Sequence, residues 1–296
     1  MTGAARLRKP VILGAGGQLG TEFRRLLPDA VPLDRGQADI VDDARIARTL
    51  AGLAPDLVLN CAAYNQVDLA EQEPEVAFRV NAIAPGCLAR ACRELGVPLV
   101  HVSTDMVFGL DGNRAAPYRE EDLTGPVNSY GASKLAGEHL VAARGGDFLI
   151  VRTCGLYGRP DGTVRKTSFV ERILARARAG EALRVVGDQR CTPSSAADIA
   201  AGILDLLDAG IRGTAHLTNA GQCSWHEFAT AIVEIAGVDV PIQAIASSGW
   251  PGAARRPGYT VLDAGVRRRA GLPPMPHWRE ALARFLGAGE PNAGRH

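Results

Sequence analysis

Long apolar runs are absent from this 296-residue sequence. No stretch approaches the roughly 18 to 20 residues that cross a bilayer, and the opening residues are too polar for a secretory signal; the expectation is a cytoplasmic protein with no membrane partner. An excess of one charge is absent too. Lys and Arg number 33 against 32 Asp and Glu, a net charge of +1, so nucleic acid is not expected as a partner either. The chain has six cysteines but no C-x-x-C pair, and Cys61, Cys87, Cys92, Cys154, Cys191 and Cys223 read as reduced, buried thiols rather than disulfides or zinc ligands. The histidines show no H-E-x-x-H or related spacing, so no metal site is expected. Aromatic residues are few, 5% of the chain, and the hydrophobic fraction of 46% beside 22% charged residues is an ordinary balance for a folded α/β protein. Internal repeats and low-complexity tracts are missing as well.

What is present is an alternation of short apolar runs with helical patterns, the order that builds a parallel sheet from βαβ units. Strands are expected at Pro10 to Leu13, Ala30 to Leu33, Leu57 to Asn60, Leu99 to Val102 and Phe148 to Arg152. Helices are expected from about Leu19 to Leu27, Ala44 to Leu53, from Pro74 onward, Ala84 to Leu95 and from about Tyr130. Runs apolar at every position, such as Leu57-Val58-Leu59, suit strands covered on both faces. Beyond Gly155 the pattern is less regular, with helices near Thr167 to Ala179 and Ala196 to Leu207 and a strand near Leu183 to Val186. Gly249 to Gly258, with Pro251 and Pro257, reads as a loop, and the last dozen residues as loosely held. The fold class expected is α/β: a Rossmann-type doubly wound parallel sheet with a smaller C-terminal substrate-binding α/β domain. The division expected is 1–155 for a dinucleotide, joined by a later segment at about 190–220, and 156–296 mainly for substrate.

Gly14-Ala15-Gly16-Gly17-Gln18-Leu19-Gly20 lies between the first strand and the first helix, the context a dinucleotide-binding turn requires. Gly14 permits the tight turn, Gly17 lets the backbone approach a diphosphate, Gly20 allows close helix packing, and the helix start, with Gln18 and Leu19, offers free N–H groups. Asp34, at the end of the second strand, can hold an adenosine ribose 2′-hydroxyl, while its neighbour Arg35 can take a 2′-phosphate; NADPH and NADH both remain open. Further on, Ser103-Thr104-Asp105 follows a strand, and Tyr130 and Lys134 share one face of a helix. A phenol exchanges its proton poorly at neutral pH unless a cation stabilises the phenolate. Lys134 is expected to supply that charge, and Thr104 to hold a carbonyl oxygen in line with the Tyr130 hydroxyl. Arg255 and Arg256, in the Pro/Gly-rich loop, can bind phosphate oxygens bidentately or form a solvated surface pair.

Together these residues resemble the extended short-chain dehydrogenase/reductases, and within them the dTDP-4-dehydrorhamnose reductase family. The likeness runs from the Gly14 turn through Ala38-Asp39-Ile40, Asn60-Cys61-Ala62-Ala63-Tyr64, Val67-Asp68, Asn81-Ala82, Ser103-Thr104-Asp105, Asn128-Ser129-Tyr130, Lys134-Leu135-Ala136-Gly137-Glu138, Arg152-Thr153, Gly187-Asp188-Gln189 and Arg256-Pro257. It implies that Asp39 and Ile40 contact the adenine and that Cys61, Ala62, Ala63 and Tyr64 line the ribose and nicotinamide side, with Asn81 structural. It also implies a nucleotide-sugar substrate facing Val67, Asp68, Thr104, Asp105, Met106 and Gly155, whose 4-keto group is reduced by NADPH or NADH. Two positions depart from the family pattern: Met106 stands where a tyrosine is usual, and Cys154-Gly155 where a tryptophan follows Arg152-Thr153. Fewer rings imply a roomier, less polar sugar pocket. Some relatives form a magnesium-bridged dimer through carboxylates; Glu22 fits one position, but Ala197 stands where another acid is needed, so no magnesium dependence is expected, and a homodimer rests on resemblance alone. Two other readings share the scaffold: a non-catalytic NADP-binding regulatory subunit, and a nucleotide-sugar epimerase or dehydratase.

Overall fold

The computed structural model describes residues 7–161, 167–249 and 252–287. Pro251 of the expected loop, the first six residues and the tail beyond 287 lie outside the described residues. The N-terminal half runs β1 (Pro10–Leu13), α1 (Gln18–Leu26), β2 (Val31–Leu33), α2 (Asp43–Leu53), β3 (Leu57–Asn60), α3 (Pro74–Phe78), α4 (Ala84–Leu95), β4 (Leu99–Thr104), α5 (Ser129–Arg144) and β5 (Phe148–Thr153). The C-terminal half continues with β6 (Leu156–Tyr157), α6 (Phe169–Arg178), β7 (Leu183–Val186), β8 (Arg190–Cys191), β9 (Ser194–Ser195), α7 (Ala196–Asp208), β10 (Gly213–His216), β11 (Cys223–Ser224), α8 (Trp225–Ile235), β12 (Ile242–Ile245), α9 (Gly265–Arg269) and α10 (Trp278–Gly287).

Six strands form one sheet in the order β10-β5-β4-β3-β1-β2, every neighbouring pair parallel. Side chains alternate across a strand, so Val11, Leu13, Val58, Leu99 and Ile150 enter a core with Ile46, Leu50 and Leu88. Ile12, Leu57, Leu59, Val100, Leu149 and Val151 enter a second core on the other face, with Phe23, Ile199 and Ile203. Both faces are covered, which is why β1 is apolar at every position and β3 at all but Asn60. The connection from β1 leads to one side of the sheet and that from β2 to the other, so the strand order reverses between β1 and β3, the place where an open α/β sheet leaves a ligand crevice. Residues 196–216, as α7 and β10, return to this sheet: α7 packs on α1 and β10 lies beside β5.

Three details differ from the sequence expectations. Strands β4 and β5 run to Thr104 and Thr153, so Ser103 and Thr104 belong to the strand rather than follow it. The helices expected from Pro74 and from Ala84 run into one another through a π-turn, Arg79–Ile83. Widened turns of this kind recur at functional sites, and this one carries the fully buried Asn81. Finally, the C-terminal half holds short pairings that no periodicity announces: β6 with β9, β8 with β11 and β12 with β7. Its core gathers Tyr157, Val170, Ile173, Phe228, Ile232 and Trp278, and α6 and α8 each begin with a Ser/Glu capping box, Ser168 with Glu171 and Ser224 with Glu227.

Candidate active site

The glycine turn is specified by lack of room. Gly14 has φ +73°, and a Cβ on it would lie 2.8 Å from Ala62 N; its N–H and that of Ala15 both donate to Leu33 O, at 3.0 and 3.2 Å. The turn is thereby tied to β2 and to the residues after β3. A Cβ on Gly20 would lie 2.4 Å from Gly14 O, so α1 can approach the turn only with glycine there. Gly17 is different. A Cβ there would meet only Gly14 O, at 3.3 Å, and the residue is exposed at the N-cap of α1 with no side chain capping the helix. That leaves a cradle of bare backbone at a helix N-terminus, the shape and polarity that suit a diphosphate. The residues present therefore fit a dinucleotide.

Around that cradle, Leu19 is buried in the sheet core while Gln18 is half-buried. Asp34 accepts from Gln37 N at 2.9 Å, and exposed Arg35 pairs with Asp39 at 3.2 Å. Asp34, Arg35 and Asp39 thus lie close together beyond β2, whereas the Ile40 side chain enters the core and leaves chiefly its main chain for a ligand. Ala62 N donates to Asn60 Oδ1 at 3.2 Å. Asn81 Oδ1 accepts from Tyr64 N and Asn81 Nδ2 donates to Tyr64 O, both at 2.8 Å, so the π-turn clamps the segment holding Cys61, Ala62, Ala63 and Tyr64. Burial pushes the Cys61 thiol up to about 12, which leaves it protonated and unreactive.

Thr104, Tyr130 and Lys134 come together where α5 starts beside the end of β4. Asn128 caps α5 by accepting from Gly131 N at 2.7 Å, and Glu71 accepts from both Ser129 N and Ser129 Oγ, at 2.7 and 3.1 Å. A Cβ on Gly131 would lie 2.2 Å from Met106 O; this close approach lets the helix start touch the turn after Thr104. The Thr104 hydroxyl neighbours the Tyr130 phenol and acts to lower its pKa; it donates to Asp105 Oδ1 at 3.1 Å and accepts from Met106 N at 3.2 Å. Lys134 is buried, and its Nζ donates to Val102 O at 2.6 Å.

The electrostatics differ from the sequence expectation. Burial pushes the Tyr130 phenol up to about 12, with Asp105 and Cys154 adding to the shift and the Thr104 hydroxyl opposing it. Burial also brings Lys134 down to about 8, against the opposing influence of Glu138 and Cys61. Loss of solvent dominates the phenol, and the Lys134 ammonium is not among the groups that shift it. The consequence is a phenol that stays protonated across the physiological range, poised to donate rather than to accept. Behind the triad, Glu138 accepts from Ser103 Oγ at 2.5 Å and from the Arg152 guanidinium at 2.7 to 3.1 Å. Sequence reasoning assigned no role to Glu71, Gly131, Glu138 or Arg152; their partners lie too far along the chain for spacing to reveal.

On the opposite side Asp105, Met106, Arg256, Pro257 and Thr260 line a small cavity. Burial raises the Asp105 carboxyl, while Cys154, Thr260 and Thr104 hydrogen-bond to its charged form. Asp68 receives the Arg256 guanidinium at 2.7 and 3.0 Å and Ala254 N at 3.1 Å, and Arg256 holds its carboxyl below the ordinary value. Val67 is half-buried beside it. Of the two loop arginines, Arg256 is thus engaged with a carboxylate, whereas Arg255 keeps its side chain exposed and its carbonyl accepts from Asn128 Nδ2 at 2.9 Å. Gly155, at φ +52°, lies just beyond β5, against Trp225. A larger cleft of about 430 Å³, lined by His226, Glu234, His277 and Trp278 among others, includes none of the triad.

The doubly wound sheet, the glycine cradle and the Thr/Tyr/Lys cluster define an NAD(P)-dependent oxidoreductase of the extended short-chain dehydrogenase/reductase type. A family model described as the RmlD substrate binding domain matches residues 8–290, and the chain belongs to the dTDP-4-dehydrorhamnose reductase family. It is 42% identical over 282 residues to a dTDP-4-dehydrorhamnose reductase of Mycolicibacterium smegmatis, covering 92% of this chain and 83% of the relative. It is 36% identical to the spore coat polysaccharide biosynthesis protein SpsK of Bacillus subtilis, covering 95% and 97%. Among solved structures, the dTDP-4-dehydrorhamnose reductase of Bacillus anthracis in complex with NADP superimposes with a TM-score of 0.90 at 35% identity, covering 95% of this chain and 99% of that one. Among the described residues no helix is long and apolar enough to cross a membrane.

Proposed function

We propose that this protein reduces the 4-keto group of a dTDP-activated deoxysugar, dTDP-4-dehydro-L-rhamnose giving dTDP-L-rhamnose, in the cytoplasm and as a homodimer. The observation that supports it most is the neighbouring Thr104 and Tyr130 hydroxyls, with Lys134 one helical turn beyond Tyr130, at the same carboxyl edge of the sheet as the glycine cradle. In this reading residues 1–155 with about 190–220 hold the dinucleotide and 156–296 mainly hold the sugar nucleotide. Gly14, Gly17 and Gly20 seat the diphosphate, and Asp34, Arg35 and Asp39 meet the adenosine end. Bound NADPH or NADH supplies the hydride for the carbonyl carbon. Thr104 orients the carbonyl oxygen, and Tyr130, which keeps its proton to about pH 12, delivers that proton as negative charge develops there. Lys134, protonated below about pH 8, places a cation beside the phenolate that results. Arg255 and Arg256 stand ready for the sugar nucleotide's diphosphate, Arg256 already oriented by Asp68.

Purified protein supplied with freshly generated dTDP-4-dehydro-L-rhamnose should consume NADPH or NADH stoichiometrically, read as the fall in absorbance, and form dTDP-L-rhamnose. Tyr130→Phe should bind the cofactor normally and lose about 10²- to 10⁴-fold in turnover. Cofactor binding without consumption in the wild type would sink the reading, and full turnover in Tyr130→Phe would remove the assigned proton donor.

A further inference from the structure

The cavity beside the reacting atoms has one aromatic wall, and it comes from the C-terminal half. Trp225 is the first residue of α8, placed by the Ser224 and Glu227 capping box, in which Ser224 Oγ accepts from Glu227 N at 3.0 Å and Ser224 N donates to Glu227 at 2.6 Å. One side of its indole packs on Phe169, with ring centroids 4.9 Å apart, and on Phe228 at 6.3 Å. The ring is only half-buried, and it lines the same cavity as Asp105, Met106, Pro257 and Thr260. Its far edge reaches the end of β5: a Cβ on Gly155 would lie 3.2 Å from Trp225 Cη2 and 3.2 Å from Pro193 Cα. Gly155 is thus the residue that admits the ring. Register places that edge near the chemistry, because Thr153 of β5 is the direct partner of Thr104 in β4 and Gly155 follows two residues later.

From this arrangement we infer that Trp225 is a specificity-determining residue whose cavity-lining indole surface receives the C–H face of the pyranose in the nucleotide-sugar substrate. A pyranose has apolar C–H patches between its hydroxyls, and a half-buried ring held by its own packing offers them a large surface at little entropic cost. Asp105, Thr260 and Arg256 supply the polar complement around the same cavity, so the wall is amphipathic as a sugar is. Neither composition nor spacing in the sequence points to Trp225; it sits 70 residues beyond Gly155 and meets it only in the folded chain.

The inference rests on the nucleotide-sugar reading, and its test separates the two. Trp225→Phe and Trp225→Leu keep an apolar group against Phe169 and Phe228. In Trp225→Leu the KM for dTDP-4-dehydro-L-rhamnose should rise about tenfold with kcat changed less than about threefold, and Trp225→Phe should recover most of the loss. The decisive readout is the affinity of dTDP-L-rhamnose relative to dTDP alone, by calorimetry on the full chain. The sugar's increment should shrink about tenfold in Trp225→Leu while the affinities for dTDP and NADPH stay at wild-type values. If wild-type protein turns over the keto-sugar and Trp225→Leu keeps the full increment and KM, the sugar wall is overturned while the reductase reading stands. An equal loss of affinity for dTDP and dTDP-L-rhamnose would reduce Trp225 to a packing role and overturn it too. A wild type that neither binds nor reduces the nucleotide sugar overturns both.

Discussion

At the glycine-turn end of the cleft the decisive contacts are made by backbone: Gly14 abuts Ala62 N and Gly20 abuts Gly14 O, with Gly14 directly after β1 and Gly20 within α1. At the opposite end they are made by side chains from remote segments, such as Arg256 on Asp68 and Trp225 beside Met106. A backbone cradle is set by the absence of side chains and tolerates almost no change. A wall of side chains can be exchanged residue by residue while the scaffold persists. The same division explains how one fold can keep its cofactor and change its sugar.

The largest expected effect breaks the backbone end. Gly20→Ala puts a Cβ 2.4 Å from one carbonyl oxygen and 2.8 Å from Ala15 Cα, with no flexible side chain able to yield, so it should cost about 3 kcal/mol or more and abolish dinucleotide binding. Gly17→Ala meets only Gly14 O, at 3.3 Å; its melting temperature should stay near wild type while its affinity for NADPH falls at least about tenfold, since the methyl group stands where a diphosphate would approach. Thermal melts with and without NADPH read both. Equal melting temperatures for the two variants would dissolve the distinction between a packing glycine and a binding glycine.

A smaller effect separates the two titrating members of the triad. Lys134 is held near 8 and Tyr130 near 12, both by burial. If the protonated ammonium is needed, activity is full below pH 8 and falls as pH rises through that value, while Tyr130 is still protonated. Measured as kcat/KM for the cofactor, which reports the cofactor-free protein, the alkaline limb should fall about tenfold per pH unit beginning near pH 8. A limb confined to pH 10 and above would transfer it to Tyr130.

The local half of this comparison is legible in the sequence and the long-range half is not. β1 and β3 match their expected spans residue for residue because burial on both faces leaves an unbroken apolar run between turn signals, and Tyr130 and Lys134 could be paired because helical spacing is local. The upward direction of the Tyr130 shift is not legible for the opposite reason: it depends on how much water the folded chain removes from the phenol, which no spacing encodes. β8 and β11 are two residues each, too short for a period to exist. Trp225 and Glu71 act on residues that meet them only after the chain has closed, and Asp68 and Arg256 stand 188 residues apart.

That last pair carries the smallest effect and tests the side-chain end directly. Asp68 and Arg256 are partly exposed, at 44% and 22% of their side chains, so solvent screens them and the pair should contribute under about 1 kcal/mol to stability. Asp68→Asn keeps the shape but loses the charge and the bidentate match that orients the guanidinium. Its melting temperature should move by less than about 3 °C, while KM for the nucleotide sugar should rise about threefold, because an arginine released from its carboxylate must be ordered again on binding. Raising the salt concentration should shrink the difference between variant and wild type, as expected for a screened pair. A fall in KM would mean instead that Asp68 competes with the diphosphate for Arg256, and the pair would then be a gate on the sugar end rather than its scaffold.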